Sequence, residues 1–480
     1  MQEKRYPPVF REIPYESPFA VYSRLRSRNS ILLESVKGPE QIARYSFIGI
    51  EPYLVFKTKD RTVEIDIAGK KTVSYRNPLE RLRELVNAYS QRPVEGLPPF
   101  QGGAAGMLSY DFVQYLERLP GKAEDDLNIP DAHFLLIDRL VAFDHAKKKC
   151  WIIVCPGARE TVAGYSDIAD AMHKHIDEAE DAVDRIYQRI RDEKKAADKE
   201  KKAAKGIDII YEMERRNYMN MVERAKEYIA SGDIFQANLS LRLSADIADK
   251  DPWQLYTILR SINPSPFAAY LDFGDYQIVS SSPERLIRVK ERVVDTRPIA
   301  GTRPRGKDTD EDEMMRTELL LNEKERAEHI MLIDLERNDL GRVSDYGSVI
   351  VDELMTTEDY SHVIHIVSNV KGALARGKDC FSVIRAVFPG GTITGVPKVR
   401  CMEIIDELEP KRRGPYTGSI GYIGFNKNMD LNIVIRTFLV KDKRAYVQAG
   451  SGIVADSVPE REYYESMKKA EALIRTLEYL

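Results

Sequence analysis

The chain has 480 residues with 72 basic and 76 acidic side chains, a formal net charge of −4. This balance argues against nucleic acid as a partner, and no apolar run approaches the roughly 20 residues of a membrane-spanning helix. The N-terminus lacks the apolar segment of a signal peptide. Cysteine is limited to Cys150, Cys155, Cys380 and Cys401. We therefore expect a cytoplasmic protein with reduced thiols.

The first 160 residues predict short β-strands separated by turns, as in SILLESV, YLVFKT and CWIIVC. Residues 161–210 become rich in Lys, Glu and Ala, a composition typical of an exposed helix or a tether. We interpret this segment as a charged helical linker. It separates an N-terminal region, residues 1–160, from a second region, residues 211–480.

The second region mixes strands and helices without regular βαβ alternation. One helix is predicted near residues 311–338. Another follows a capping box in which Ser457 is the N-cap and Glu460 the third helical residue. Because short turns join several neighbouring strands, antiparallel sheets with helices packed outside them are favoured. The predicted fold class is α+β.

Two pairs of glutamates are spaced three residues apart on predicted helices, Glu325 with Glu328 and Glu462 with Glu465. This spacing places both carboxylates of a pair on one helix face. Carboxylates without nearby His or Cys suit a hard cation such as Mg²⁺ better than zinc. The same spacing is common on solvated helices, so the pairs are consistent either with a metal site or with an ordinary solvent-exposed helix face.

Three glycine-rich turns combine Gly with Thr, Ser or a basic residue: TRPIAGTRPRG, FPGGTITGVPK and QAGSGIV. Such turns let backbone N–H groups approach an anion, although they are equally typical of plain turns. None matches a P-loop or a dinucleotide-binding fingerprint, which argues against nucleotide binding.

These segments occur in an order that resembles one family. The blocks are SGDIFQANLS, NPSPF, PIAGTRPRG, NEKERAEHIMLIDLERNDLGRV, SHVIHIVSNV, PGGTITGVPKVRCMEIIDELEP, YTGSIGYIGF, MDLNIVIRT and QAGSGIVADSVPEREYYE. Together they resemble the chorismate-utilising enzymes, specifically the large subunits of anthranilate synthase and aminodeoxychorismate synthase. The resemblance implies an interlocked, two-subdomain α+β fold with large antiparallel sheets.

The resemblance also implies a site that binds chorismate with Mg²⁺. Glu328 and Glu465 would be the closest metal ligands, assisted by Glu325 and Glu462. His365 would remove a ring proton, and Glu284 would protonate the leaving hydroxyl. The implied substrate-binding residues are Gly301, Thr302, Thr392, Tyr416, Arg436, Gly450, Ser451, Gly452 and Lys469.

The nucleophile is indicated by Gln236. Water-adding relatives typically carry Lys at this position, so Gln236 favours ammonia. The chain contains no G-x-C-x-G block, the motif of a glutaminase nucleophile. The resemblance therefore implies that a separate glutamine amidotransferase subunit supplies the ammonia.

The family motifs give conflicting indications of the product. Asn238, the second Gly of PGGTITG and the LN of MDLNIVIRT favour aminodeoxychorismate synthase. Ala300, however, stands where many aminodeoxychorismate synthases carry a nucleophilic Lys. Anthranilate synthases lack this lysine, so Ala300 favours them. Our first hypothesis is amination of chorismate to 4-amino-4-deoxychorismate, which leads to 4-aminobenzoate and folate. The alternative is anthranilate, for tryptophan biosynthesis. A third hypothesis is a non-catalytic regulator of the same fold. It predicts that catalytic and binding residues of the family have been lost, whereas the missing lysine is the one departure from the family's pattern.

The ILLES and NPSPF blocks resemble the tryptophan pocket of the feedback-regulated members of the family. Ser35, Pro264 and Ser265 would line this pocket. Such a pocket can persist without regulation, so the motifs leave open whether tryptophan controls the enzyme.

Overall fold

The computed structural model describes residues 6–89, 91–163, 172–192, 207–359 and 363–480, without the side chains of Val162, Ala163, Met172, Thr302 and Lys324. The predicted linker thus lies partly outside the described residues. No described helix is both long and apolar enough to cross a membrane.

Strands dominate the fold. In the first 160 residues they are β1 (Val9–Ile13), β2 (Ser30–Glu34), β3 (Tyr45–Gly49), β4 (Leu54–Lys59), β5 (Thr62–Ile67), β6 (Lys70–Ser74), β7 (Gly103–Leu108), β8 (Ala132–Ile137), β9 (Arg139–Asp144) and β10 (Lys149–Val154). Later strands are β11 (Ile209–Tyr211), β12 (Gln236–Asp246), β13 (Phe267–Asp272), β14 (Tyr276–Ser282), β15 (Arg285–Lys290), β16 (Val293–Thr296), β17 (Ile299–Pro304), β18 (Ile350–Asp359), β19 (Val363–Ala373), β20 (Gly395–Val396), β21 (Ser419–Gly424), β22 (Met429–Asn432), β23 (Thr437–Lys441) and β24 (Arg444–Ile453).

The α-helices are α1 (Pro18–Leu25), α2 (Pro78–Asn87), α3 (Met172–Arg191), α4 (Arg215–Ala230), α5 (Pro252–Ile262), α6 (Thr309–Leu321), α7 (Glu323–Gly341), α8 (Cys380–Val387), α9 (Lys398–Leu408) and α10 (Pro459–Glu478). Of these, α3 falls in the predicted linker. Its Ala182, Val183, Ile186 and Ile190 are buried, and it packs against β1 and β10.

The described strands form two sheets of twelve. One has the order β1-β10-β9-β3-β2-β13-β14-β23-β24-β12-β11, with β20 also paired to β12. The other has the order β17-β19-β16-β15-β22-β21-β7-β8-β4-β5-β6, with β18 also paired to β19. The ladders between these strands are antiparallel, for example β2 with β13 and β7 with β21.

Each sheet joins a block of strands from before the linker to a block of strands from after it, at β2 with β13 in one sheet and at β7 with β21 in the other. Leu32 of β2 pairs with Tyr270 of β13, and Gly106 of β7 pairs with Gly421 of β21. At Gly103 of β7 an added Cβ would lie 2.2 Å from the carbonyl oxygen of Ile423 in β21, so the close approach of these two strands requires glycine. The predicted α+β class, with large antiparallel sheets and an interlocked arrangement, is confirmed.

The predicted helix over residues 311–338 is wrong in one respect, because the structure has two helices there. α6 ends at Leu321, and α7 begins at Glu323 after a single extended residue, Asn322. The Asn322 side chain accepts the N–H of Glu325 at 3.0 Å and so caps α7. Glu325 therefore lies in the first turn of a new helix, where the helix dipole favours a carboxylate.

The predicted capping box of α10 is also wrong. The N-cap position is Val458, and Pro459 is the first helical residue. Instead of capping the helix, the Ser457 hydroxyl accepts the N–H of Val454 at 3.0 Å. The proline at the first helical position, where no N–H needs a partner, is sufficient to begin the helix.

Candidate active site

Gln236, the first residue of β12, lies directly against α7. Its Nε2 donates to Oε1 of Glu328 at 3.1 Å, whereas its Oε1 is buried without a hydrogen-bond partner. Because a carboxylate only accepts hydrogen bonds, this contact fixes the orientation of the amide. Gly452 of β24 makes the arrangement possible, since an added Cβ would lie 2.3 Å from Nε2 of Gln236.

Glu325 occupies a space that a glycine leaves open. Its Oε1 accepts from Nη1 of Arg303 at 2.6 Å, and its Oε2 is buried without a partner. A Cβ at Gly301 would lie 2.2 Å from that Oε2. Gly301 has φ +67° and sits where the β17–β19 register shifts. Both the backbone angle and the close approach therefore favour glycine.

The second predicted glutamate pair lies at the start of α10. Lys469 Nζ donates to Oε1 of Glu465 at 2.8 Å and to the carbonyl of Gly450 at 3.1 Å. Glu465 is exposed, and Glu462 is half-buried. Lys469 thus already neutralises one of the predicted metal ligands.

The four glutamates do not form a closed cage. Among the described residues, one group has three ligand atoms within 4.8 Å of one another, and it consists of Glu160, His175 and Glu178. Two features nevertheless fit Mg²⁺ at the predicted position: all four donors are carboxylate oxygens, and the Oε2 of Glu325 is unpartnered. Mg²⁺ takes few direct carboxylates and keeps several waters, so an open set suits it.

Glu284 follows β14 and is buried. Its Oε1 accepts the hydroxyl of Thr392 at 3.1 Å. Burial raises the pKa of Glu284 to about 7, while Thr392, the charge of Lys469 and the N–H of Ile299 act in the opposite direction. A carboxyl that keeps its proton near neutral pH can serve as a general acid.

The ring of His365, in β19, contacts the backbone of β17. Its Nδ1 lies 3.3 Å from the carbonyl oxygen of Gly301. A carbonyl only accepts, so this contact places the proton on Nδ1 and leaves the lone pair on Nε2. Burial, with a smaller effect of the Arg436 charge, lowers the pKa of His365 to about 4. The ring is therefore neutral at physiological pH and can accept a proton.

Arg436, just before β23, is a further cation of the site. Among the described residues, no acidic side chain forms an ion pair with it. Burial lowers the pKa of Arg436 to about 10, and nearby Tyr416 acts in the opposite direction. A desolvated guanidinium without a counter-ion is suited to a carboxylate of a bound ligand.

The sequence did not single out the support beneath Tyr416. Arg413 lies with its guanidinium carbon 5.6 Å from the centre of the Tyr416 ring. Arg413 also donates to Oε1 of Glu409 at 2.7 Å and to the carbonyl of Asn238 at 2.7 Å. Both members of this ion pair are almost fully buried. The basic run KRRGP gave no indication that one of its arginines would be internal.

Two predicted substrate residues are placed differently from the rest. The Ser451 side chain is fully buried and bonds to the hydroxyl of Tyr218 at 3.0 Å. The hydroxyl is therefore used in the packing of α10, and the assignment of Ser451 to substrate binding stays a prediction. Thr302 of β17 is the backbone register partner of His365 in β19, and its side chain is not among the described parts of the chain.

A separate cavity of about 460 Å³ lies between the two sheets. Its lining includes Ser35, Tyr45 and Pro266. The Ser35 hydroxyl donates to the carbonyl of Pro266 at 2.9 Å, which joins the ILLES and NPSPF blocks. Pro264 and Ser265 do not line this cavity; Ser265 is buried and bonds to the carbonyl of Asn263.

The fold and these residues define an enzyme of the chorismate-binding class, and comparison with known proteins agrees. The family described as chorismate binding enzyme matches residues 28–475, so the chain belongs to that family. It is 43% identical to anthranilate synthase component 1 of Acetivibrio thermocellus, covering 96% of this chain and 93% of that one.

Identity alone does not separate two named activities. Aminodeoxychorismate synthase component 1 of Bacillus subtilis is also 43% identical, over 98% of this chain and 97% of that one. Among solved structures, anthranilate synthase component I from Streptococcus pneumoniae superposes with a TM-score of 0.79 at 37% identity, covering 90% of this chain and 92% of that one.

Proposed function

We propose that the chain aminates chorismate with ammonia, in a Mg²⁺-dependent reaction that gives 4-amino-4-deoxychorismate and water. The observation that carries this proposal is the fixed amide of Gln236. Its Nε2 donates a hydrogen bond to Glu328. Its buried Oε1 has no hydrogen-bond partner among the described residues and can accept an N–H from a ligand. Ammonia can donate such a bond and still present its lone pair to the substrate.

The charges of the site support a dicarboxylate substrate. Arg436 and Lys469 supply two cations, and Arg436 has no protein counter-ion among the described residues. Mg²⁺, held by the Glu325–Glu328 and Glu462–Glu465 pairs, would offset the charge of one of the two substrate carboxylates and fix its position. The protein side chains do the remaining chemistry.

Glu284 donates its proton to the ring hydroxyl, which leaves as water while the ammonia nitrogen forms its bond to the ring. The Thr392 hydroxyl, 3.1 Å from Oε1 of Glu284, orients that acid. The added nitrogen then loses a proton to solvent to give the neutral amine, and the Glu284 carboxylate regains a proton from solvent. The reaction therefore balances without an oxidant or a reductant.

The ammonia would come from a glutamine amidotransferase subunit. The relatives that match this chain are named as component 1, which supports a partner. All four cysteines are buried, and burial raises the pKa of the Cys380 and Cys401 thiols to about 12. Neither thiol is positioned to act as the thiolate nucleophile of a glutaminase.

Formation of anthranilate is the second candidate, and Ala300 favours it. A lysine at position 300 could bond covalently to the chorismate ring, whereas alanine cannot. In that reaction the neutral His365, with its lone pair on Nε2, would remove the ring proton. Mixing the purified chain with chorismate, Mg²⁺ and an ammonium salt distinguishes the two. Fluorescent anthranilate would contradict our choice, and a product that yields 4-aminobenzoate only after a lyase is added would support it.

We further propose that the cavity beside Ser35 binds tryptophan. It is lined by aromatic and aliphatic groups, including Tyr45 and Phe47, and by the charged Glu40 and Arg44. This mixture suits an amino acid with a large apolar side chain. Turnover that is unchanged at saturating tryptophan would contradict regulation through this cavity, and calorimetric titration would measure binding independently.

A further inference from the structure

A histidine and two glutamates that the proposed reaction does not use meet where α3 begins. Glu160 is the first residue of the 3-10 turn Glu160–Ala163, which follows β10, and His175 and Glu178 lie in the first two turns of α3. One nitrogen of the histidine and one oxygen of each glutamate all lie within 4.8 Å of one another. Because α3 packs on β1 and β10, the fold itself brings the turn and the helix together.

His175 lies on the buried face of α3. It is 8% exposed, and Ala179, Ala182 and Val183 continue the same face at helical spacing. Its Nδ1 is buried and has no hydrogen-bond partner. Buried polar atoms without a partner are rare in folded proteins and cost stability. This nitrogen is therefore suited to a ligand that the protein itself does not supply.

Both carboxylates are directed at that nitrogen. Oε2 of Glu178 lies 3.5 Å from Nδ1 of His175, and Oε1 of Glu160 lies 3.9 Å from it. Direct hydrogen bonds between N and O are shorter, about 2.7–3.2 Å. Two ligand atoms of one tetrahedral zinc ion are about 3.4 Å apart, because each lies about 2.0–2.1 Å from the metal. The spacing is thus closer to that of metal ligands than to that of a hydrogen-bonded ion pair.

The two carboxylates are also open to an ion. Among the described residues, no Lys or Arg forms an ion pair with Glu160. Glu178 has Nζ of Lys174 3.6 Å from its Oε1, which leaves its Oε2 directed at His175. The side chains of Glu160 and Glu178 are 34% and 52% exposed, so an ion can enter between them from solvent.

We propose that Glu160, His175 and Glu178 bind a Zn²⁺ ion, with water as its fourth ligand. Zn²⁺ accepts both imidazole nitrogen and carboxylate oxygen, whereas Mg²⁺ takes oxygen ligands. The donor set therefore distinguishes this site from the four glutamates proposed for Mg²⁺. The ion would fix the turn that follows β10 against the start of α3, and this inference does not rest on the proposed function.

The first test is a Zn²⁺ titration of the full chain, freed of metal with a chelator and kept in excess Mg²⁺. Competition with a chromophoric zinc indicator should give one Zn²⁺ per chain with a Kd of roughly 10 µM or lower. His175→Gln should weaken this affinity roughly tenfold or more, because a direct ligand is lost. A wild-type chain that binds no Zn²⁺ in this range would overturn the inference.

His173 provides the matched control. It is an exposed histidine in the same first turn of α3. His173→Gln removes an imidazole from the same helix and should leave the Kd for Zn²⁺ at its wild-type value. Equal losses of affinity in the two glutamine variants, or no loss in His175→Gln, would contradict the proposed site.

A surface variant covers the case in which His175→Gln does not fold. Glu178 is exposed, so Glu178→Gln leaves the core intact while it removes one charged ligand. It should weaken Zn²⁺ binding roughly tenfold. Glu180→Gln removes an exposed carboxylate from the same helix and should leave binding unchanged. The same affinity for Zn²⁺ in these two variants would exclude Glu178 as a ligand and overturn the inference.

X-ray absorption at the zinc edge identifies the ligand atoms. We expect one imidazole and a first shell of nitrogen and oxygen at about 2.0–2.2 Å, without sulfur at about 2.3 Å. The chain has seven histidines and four cysteines, so other ligands are available. A sulfur ligand would place the ion at a cysteine, and a second imidazole would require a histidine outside the site. Either result would overturn the inference.

The unfolding temperature distinguishes the metal site from an ion pair between a protonated His175 and the two glutamates. An ion that binds only the folded state stabilises it, so saturating Zn²⁺ should raise the Tm of the wild type by about 2 °C or more. The Tm of His175→Gln should not respond. The ion pair predicts no response to Zn²⁺ in either protein, and an unchanged wild-type Tm would contradict the zinc site.

Discussion

Gln236 and Glu328 are joined by a single hydrogen bond of 3.1 Å between the first residue of β12 and the second turn of α7. This contact connects the residue assigned to the nucleophile with a residue assigned to the metal. It also fixes the orientation of the amide: because the Glu328 carboxylate can only accept, Nε2 faces Glu328 and Oε1 points away from it.

Replacing Gln236 with methionine should impair amination selectively. The side chain keeps a similar volume but loses both the donor to Glu328 and the free acceptor. We expect kcat/KM for ammonia to fall roughly tenfold or more, from the loss of one or two hydrogen bonds near a charge. Steady-state rates with varied ammonium salt measure this. An unchanged dependence on ammonia would separate Gln236 from the nucleophile.

Gly301→Ala should weaken the binding of Mg²⁺. The new Cβ would lie 2.2 Å from Oε2 of Glu325 and displace that carboxylate. Gly347→Ala is the control, because Gly347 has a comparable φ of +76° with nothing within 4 Å of an added Cβ. Both variants should lose about 1 kcal/mol of stability from the backbone angle.

Only Gly301→Ala should also raise the Mg²⁺ concentration that gives half-maximal turnover. Calorimetric titration of the metal gives the same comparison without the reaction. Equal affinities for Mg²⁺ in the two alanine variants would remove Glu325 from the metal site.

Arg436→Gln should have opposite effects on substrate binding and on stability. Loss of a charged hydrogen bond to a carboxylate should raise the KM for chorismate roughly 10- to 100-fold. Since burial lowers the pKa of Arg436, the folded protein without ligand disfavours its charge, and the variant should have a higher Tm.

Arg285→Gln is the matched control for that prediction. Arg285 is also buried, but it is paired with Asp430 at 2.9 Å. Removing this arginine leaves Asp430 unpaired and should lower Tm. A lower Tm in Arg436→Gln as well would indicate that Arg436 is structural.

The rate should depend on the protonation of Glu284. Because burial raises its pKa to about 7, the proton needed by the leaving hydroxyl is lost above that pH, and kcat should decline there. The stability effect has the same direction. The folded state holds a proton that the unfolded chain releases near pH 4.5, so stability falls as pH rises from about 4.5 to about 7.

Glu284→Gln removes that titration. Relative to wild type, its free energy of unfolding should improve as pH rises from about 5 to about 8, by up to about 3 kcal/mol for a shift of this size. Denaturant unfolding at the two pH values checks the sign. A difference between the proteins that does not change with pH would show that Glu284 is ionised in the folded state.

Much of the site followed from patterns in the sequence, and the exceptions have physical reasons. The spacing of Glu325 and Glu328 correctly indicated a shared helix face. The break at Asn322 was missed because helical periodicity continues on both sides of it, although an asparagine directly before a glutamate-rich turn is a good N-cap.

The burial of Glu336 in α7, which is 5% exposed, could not be predicted from the sequence. This residue lies between Leu335 and Arg337 in a charged run, where helical spacing alone is typical of a solvated face. The short 3-10 turn Gly391–Ile393 packs against this part of α7, although Gly391 is 55 positions from Glu336 in the sequence (391 − 336). Long-range packing of this kind leaves no local pattern.

The fold and the family match establish that the chain is a chorismate-binding enzyme. The central proposal therefore concerns the ring carbon to which nitrogen is added. Incubation with chorismate, Mg²⁺ and ¹⁵N-labelled ammonium, followed by NMR of the product, measures this directly. We predict ¹⁵N on the ring carbon that carried the hydroxyl, para to the ring carboxylate, with the enolpyruvyl group retained. Nitrogen ortho to the carboxylate, with release of pyruvate, would contradict the proposal.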